Sequence, residues 1–445
     1  MRICWLSTEM GEYTSGIANH NRILVEYLKN HPEVEDITVV RYPLPENGFF
    51  IQNPQQWRGV NIFSPKVALN IKGALNSFKK ADLNLKAKIQ FWFLRLGIKL
   101  KKMSFFNLSK IKKAGKISLA AFAILSFQKP FPNPFWKEFT NCILKTKPDI
   151  VQSQAALLII GGVLARDKIK AHLSSQMTLP GAIEGEKGSI NYEFEKRFNE
   201  ALKWGIEADK TDFFLPVSQD VKNYLVSLGA DPNKIKIMQT PIVIKDFNRV
   251  DKLVAREKLG LPKNKKIILS VGRMTMQKRF QDILEILKMM PKDVVFFLKK
   301  SRCISEEFFE SAHLLFSLIK KYKLKDRVII NDSVLPYNEM KYVYQSCDVA
   351  VFPYIGEPQG TCVTECIANG RPIVVYNSGY LPNYINGNGY LVEPKNIKSL
   401  YEKTKIFLDD ERVAKEAGEK SIELALKYDI NIIGEQLINL YKEFL

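Results

Sequence analysis

The sequence is short of the residues that build metal sites, disulfide frameworks and membrane spans. Its 445 residues include 4 histidines and 6 cysteines. None of the cysteines (Cys4, Cys142, Cys303, Cys347, Cys362, Cys366) belongs to a C-x-x-C pair, which removes the common zinc-ribbon and redox patterns. Cys362 and Cys366 stand four apart, but two ligands do not complete a zinc site, so core packing is expected of them. The opening MRICWLSTEM lacks the long apolar core of a secretion signal. The longest apolar run of the basic region, Ile117 to Phe127, has 11 residues, where a spanning helix needs about 20. A reduced, cytoplasmic setting without a transmembrane segment is the expectation.

Acidic residues are scarce in one stretch. Residues 51–150 hold 19 basic residues against Asp82, Glu138 and Asp149, and so carry +16 of the chain's +19. The rest is nearly neutral and, at 46% hydrophobic and 25% charged, has the composition of a folded protein of two or more domains. A concentrated basic region calls for an anionic partner. Within it, Leu85, Ile89, Trp92, Phe93, Leu96 and Leu100 share one helical face with Lys88, Arg95, Lys99 and Lys102 on its flank. That is the pattern of an interfacial helix on anionic lipid, and equally that of a domain helix with solvated lysines. The adjoining FFNLSKIKKAGK and FQKPFPNPFWK favour membrane contact. Nucleic acid is the weaker alternative, because no nucleic-acid motif is present.

Elsewhere short apolar runs alternate with helical spacing. RICWLST, IANHNRILVEYLKN and ITVVRYP open the chain, and PDIVQ resumes the pattern after the basic region. A second series starts with KKIILSVGR and continues through VVFFLKK, RVIIN, VAVFPY and RPIVV. This is the rhythm of parallel sheets covered by helices. Ligands of such folds lie at the carboxyl ends of the strands.

Two clusters at those ends carry chemistry. In IGEPQGTCVTECIANGRPIVV, Glu357 lies in a loop and Glu365 in the following helix. Gln359, Gly360 and Thr361 stand between them, where helix-opening N–H groups suit a phosphate or a sugar hydroxyl. In SVGRMTMQKRF, Gly272 allows close approach, while Arg273 and Lys278 could neutralise a departing diphosphate; an Arg and a Lys at this spacing are also common in solvated loops.

Together these segments resemble the nucleotide-sugar-binding half of glycosyltransferase family 4, retaining enzymes of GT-B fold. The matching features are G-R-x4-K at Gly272 to Lys278, E-x7-E at Glu357 to Glu365, the trailing ANGRPIVV and the later SGYLPNYINGNGYLVEP, in family order over roughly 265–445. The resemblance implies an α/β chain of two tandem Rossmann-like domains facing a cleft, with a basic, partly helical insertion in the first. The expected boundaries are 1–240 for the acceptor-side domain, including region 51–150, 241–425 for the donor-side domain, and 426–445 for a terminal helix packing back on the first.

It further implies that Arg273 and Lys278 hold the donor diphosphate, Glu365 the ribose and Glu357 the transferred sugar. Arg273, Lys278 and Glu357 would form the catalytic set, with Gly272, Gly360 and Thr361 close to phosphate or sugar. Ser333 and Val334 would lie by the nucleobase. Gly16 resembles the family's first-domain glycine loop, although Ser15-Gly16 stands where two glycines are usual. Other departures are Gln176 where a histidine is common, with His172 read as a packed strand residue, and Thr240-Pro241-Ile242-Val243 in place of an N-G-V-D turn. No D-x-D triplet is present, so neither a metal nor a cofactor is expected besides the donor, for which a UDP-sugar is the family's commonest choice. The implied enzyme is a metal-independent, retaining glycosyltransferase. It would act on a lipid or lipid-linked glycan, peripheral on the cytoplasmic face of a membrane. The competing reading is a non-catalytic membrane-bound or scaffold protein on the same fold.

Overall fold

The computed structural model describes residues 1–7, 16–41, 56–63, 134–154, 158–176, 190–301 and 306–445. They divide into two units, Met1–Met238 with Leu437–Leu445, and Gln239–Gln436. Each is an α/β unit built on a mainly parallel sheet, of the Rossmann-like kind the strand–helix alternation predicts.

The first unit contains β1 (Arg2–Ser7), α1 (Gly16–Lys29), β2 (Asp36–Arg41), β3 (Gln56–Trp57), β4 (Val60–Phe63), α2 (Pro134–Lys145), β5 (Ile150–Gln154), α3 (Ile159–Ala165), β6 (Ala171–Gln176), α4 (Ile190–Glu207), β7 (Phe213–Pro216) and α5 (Gln219–Ser227). The strand order is β3-β4-β2-β1-β5-β6-β7, antiparallel only between β3 and β4. β1 and β5 are buried along nearly their whole length without alternation, as strands covered on both faces require; β1 is largely apolar, whereas β5 buries Gln152, Ser153 and Gln154. Their neighbours α2 and α3 supply Trp136, Phe139, Ile143, Ile159 and Ile160 to one core.

This corrects part of the membrane reading. Trp136, next to last in the basic and aromatic FQKPFPNPFWK, is 0% exposed and meets Phe139 edge-on at 5.5 Å. Val60 and Ile62 are likewise buried in β4, which pairs with β2. A residue covered by its own core is not available to lipid. The remaining basic segment, 64–133, including the Leu85–Lys102 stretch, lies outside the described residues. Among the described residues no helix is long and apolar enough to cross a membrane.

Three polar side chains of this unit have structural partners. The Asp149 carboxylate accepts the Arg2 N–H at 2.8 Å, and Ser218 caps α5 by accepting the Val221 N–H. His172 is fully buried in β6, with Nε2 2.9 Å from Ser153 Oγ.

The second unit contains α6 (Lys252–Lys258), β8 (Lys266–Arg273), α7 (Phe280–Leu287), β9 (Val294–Ser301), α8 (Glu306–Lys321), β10 (Val328–Asn331), α9 (Met340–Gln345), β11 (Val349–Phe352), α10 (Thr361–Ala368), β12 (Ile373–Tyr376), β13 (Gly389–Val392), α11 (Ile397–Asp409) and α12 (Glu411–Ala425). α13 (Ile430–Lys442) follows and continues into the terminal residues of the first unit. The sheet order is β10-β9-β8-β11-β12-β13, with every pair parallel. Successive strands run outward from β8 to one edge and then outward from β11 to the other. The order therefore reverses between β8 and β11, which leaves a crevice at their carboxyl ends.

Candidate functional site

That switch point is where the two sequence clusters meet. β8 ends at Gly272-Arg273, and the chain turns through a single 3-10 turn, Met276–Lys278, into α7. Arg279 adopts the left-handed conformation at φ 46°, a strained position for a side-chain-bearing residue. Its guanidinium offsets this by a two-pronged pair with Asp282, at 2.7 and 2.8 Å. The reversal turns Lys278 back toward the sheet, where it is 6% exposed.

From the neighbouring strand, β11 runs out through Pro353 and Tyr354 into the loop 355–360. Lys278 Nζ is ion-paired with Glu357 Oε2 and stands 3.8 Å from the centre of the Tyr354 ring, so a carboxylate and an aromatic face share one ammonium. Tyr354 is itself fixed: its hydroxyl donates to the Val271 carbonyl at 2.5 Å, tying the end of β11 to the end of β8. Burial raises its phenol pKa well above the ordinary range, so it stays neutral.

The Glu357 loop is held from several sides. Gln277 donates to the Gly356 carbonyl at 3.1 Å, and the Gly356 N–H donates to Ser378 Oγ at 3.0 Å. The buried Gln359 amide accepts the Thr240 N–H at 2.7 Å and donates to the Thr240 carbonyl at 3.3 Å. Gly360 caps α10 at φ 81°, and a β-carbon there would press on Glu357 Cγ at 3.0 Å. Gly379, at φ 58°, packs directly against the Glu357 backbone, whose carbonyl accepts the Tyr380 N–H at 2.9 Å. The N–H groups of Thr361 and Cys362 open α10 and have no intrahelical acceptor by position.

Of the residues singled out in the sequence, Gly272, Lys278, Glu357, Gly360 and Thr361 are gathered here. Arg273 is exposed, and its side chain has no partner among the described residues. Glu365, 6% exposed, lies in the second turn of α10 and accepts a 2.6 Å hydrogen bond from the Tyr344 hydroxyl. Val334 follows β10 and is 37% exposed. Gly16 begins α1 in the other unit. Gln176 ends β6.

Sequence reasoning passed over Tyr354, Tyr344 and Lys299, and named Gln359 without its bonds to Thr240. Tyr354 had a signal, as the aromatic that closes VAVFPY just before the loop. Tyr344 and Lys299 are identified only by contacts across the fold. Cys362 and Cys366 behave as packing residues: burial pushes the Cys362 thiol up to about 12 and raises Cys366 likewise. Among the described residues no group of three or more metal-ligating side chains occurs.

A cation held under a glycine strand end, an exposed arginine after it and the opening N–H groups of a helix are the kinds of group that can hold a multiply charged anion. Flanking carboxylates can take hydroxyls. Residues 251–424 match the family "Glycosyl transferases group 1". The N,N'-diacetylbacillosaminyl-diphospho-undecaprenol alpha-1,3-N-acetylgalactosaminyltransferase of Campylobacter jejuni is 26% identical over 241 residues, 51% of this chain and 59% of that one. The chain thus spans 59% of the length of the first curated relatives it matches.

Among solved structures, the sucrose-phosphate synthase of Thermosynechococcus elongatus superposes with a TM-score of 0.71 at 16% identity over 99% of this chain and 98% of that one. The Anabaena HepE complex with UDP and glucose gives 0.69 at 13% over 100% of both. The fold is therefore that of GT-B glycosyltransferases, and residues 251–424 are similar to the group 1 glycosyl transferases.

Proposed function

We propose that the chain is a retaining glycosyltransferase that moves a sugar from a nucleoside-diphosphate donor, with UDP the expected carrier, to a lipid or lipid-linked glycan. The observation that carries this reading is the Lys278–Glu357 pair at the strand-order switch. One residue answers the diphosphate and the other the sugar, and in the free protein each satisfies its partner. Donor phosphate oxygens would displace Glu357 from Lys278 and free the carboxylate for the sugar hydroxyls. Arg273 and the opening amides of α10 would share the phosphate charge, so the residues themselves supply the electrostatic work a metal ion does elsewhere.

In the retaining step the acceptor oxygen bonds to the anomeric carbon on the face from which the diphosphate leaves. The carbon–oxygen bond to phosphate breaks with its electron pair on the diphosphate, and the acceptor's proton passes to a departing phosphate oxygen. No protein nucleophile is required. Support for the donor comes from the UDP bound to HepE, and for the acceptor from the diphospho-undecaprenol in the Campylobacter enzyme's name. The basic segment 64–133 is assigned to an anionic membrane surface on the cytoplasmic side.

The test is nucleoside-diphosphate release from UDP-, GDP- and ADP-sugars, with and without a lipid extract of the source cells, against Lys278→Ala. Release from one donor that rises with lipid and vanishes in the variant is expected. Absence of release from every donor by folded protein overturns the catalytic reading. Sedimentation with vesicles containing phosphatidylglycerol, but not with neutral ones, is expected of the basic segment.

A further inference from the structure

Near its end β9 has two adjacent lysines, Lys299 and Lys300, that the strand sends to opposite faces. Lys300 turns to the outer side, with Asp332 Oδ2 at 3.7 Å. Lys299 turns inward, is 6% exposed, and makes no ion pair with a carboxylate among the described residues. Its Nζ donates to the Ser333 carbonyl at 2.6 Å. An ammonium buried on a single neutral acceptor is costly, and an apolar side chain of similar length would stabilise the core more. Burial lowers its pKa to about 8, with Asp332 pulling it up and Lys300 pushing it down. Its contribution must be sought in what it holds.

What it holds is one peptide. Ser333 is fixed a second time by Asn331, whose Oδ1 accepts both the Ser333 N–H at 3.1 Å and the Ser333 hydroxyl at 2.7 Å. With its carbonyl pinned from below and its amide and hydroxyl pinned from the side, Ser333 sets the direction of the chain into Val334. The Val334 N–H and carbonyl make no hydrogen bond among the described residues, and its side chain is partly exposed at the carboxyl end of β10, on the edge of the sheet that holds the proposed diphosphate site.

We propose that Lys299 is a positioning residue for the nucleobase of the donor, acting through the Ser333 carbonyl to hold the Val334 peptide where the base is read. The inference rests on the donor reading above and adds a residue with no place in the motifs that led to it. It assigns Lys299 to recognition of the nucleoside half of the ligand, as distinct from its phosphates.

The experiment is titration of the full chain with UDP, GDP and ADP, and with inorganic pyrophosphate, for the wild type, Lys299→Met and Lys299→Gln. Methionine keeps the length and removes the donor, whereas the glutamine amide can still reach a carbonyl. Lys299→Met is expected to weaken the preferred nucleoside diphosphate by about tenfold or more. It should change pyrophosphate binding less than about twofold and, in turnover, raise the donor KM at nearly constant kcat. Lys299→Gln should recover part of the loss. Equal weakening of nucleotide and pyrophosphate would reduce Lys299 to a general positive charge and overturn the proposal, as would unchanged binding of both. If the wild type binds no nucleoside diphosphate, the donor reading itself falls and this inference with it, an outcome distinct from failure of the variants alone.

Discussion

Lys278 and Glu357 are ion-paired although 79 residues separate them in the chain. The pair exists because β8 and β11 are neighbours in the sheet despite the intervening β9 and β10, so the loops that follow them open into one crevice. Neither side chain is well solvated, and each is the charge that neutralises the other. Lys278→Ala should therefore act twice. It removes the proposed diphosphate cation and leaves a half-buried carboxylate facing incoming phosphate. A fall in kcat/KM of about 10²- to 10³-fold is expected, larger than for Arg273→Ala, whose exposed guanidinium works in higher dielectric. Steady-state kinetics of the two variants on one donor check the ranking.

Two glycines of the site are needed for different reasons. A β-carbon on Gly272 would find Tyr354 Oη at 3.4 Å and Lys278 Cε at 3.6 Å, ordinary contact distances, so the fold alone accepts alanine there. A β-carbon on Gly379 would collide with the Glu357 backbone, at a positive φ besides. Gly272→Ala is expected to keep stability within about 0.5 kcal/mol while weakening donor binding about tenfold, by filling the space over Lys278. Gly379→Ala should cost about 2 kcal/mol or more in stability. Denaturant melts and nucleotide titrations of both variants would show the division, and a Gly272→Ala protein that binds donor normally would remove ligand approach as the reason for that glycine.

The second sheet is legible in the sequence because β8, β9, β11 and β12 are short apolar runs bounded by turns, as doubly covered parallel strands must be. β13 is less so, since GYLV is an edge strand with most of its residues only partly covered. β3 and β4 were hidden inside a stretch whose charge dominated its reading. Lys278 and Glu357 were found by local motifs, but their contact depends on strand order, which no local spacing encodes. Lys299 was invisible for a related reason. In LKKS the two lysines look alike, and only the register against β8 and β10 sends one inward.

Tyr344 bears on how firmly Glu365 is held. Its hydroxyl donates to Glu365 Oε2, and burial and the neighbouring carboxylate keep the phenol protonated far above physiological pH. Tyr344→Phe removes that one bond and little volume, which should cost about 1 kcal/mol of stability. If Glu365 holds the ribose, the donor KM should rise about three- to tenfold with kcat nearly unchanged, since a ribose contact is made in ground and transition state alike. A fall in kcat at constant KM would place Glu365 nearer the reacting carbon.

Acid should loosen the first unit in a window set by two histidines. Burial lowers both His20 and His172 from 6.5 to about 4, so the native protein keeps them neutral where the unfolded chain would protonate. The unfolded state then binds more protons between about 4 and 6.5, and stability rises with pH through that interval. The histidine contribution is complete above about 6.5, declines as pH falls toward 4, and changes no further below it. Each histidine can account for up to about 3 kcal/mol. His172→Gln, which keeps a polar group near Ser153 Oγ, should flatten part of the slope while lowering stability at pH 7, where the native imidazole is well packed against Gly162 and bonded at both nitrogens. Denaturant midpoints from pH 4 to 7.5 for the wild type and this variant would test it; parallel curves would mean that other groups set the acid sensitivity.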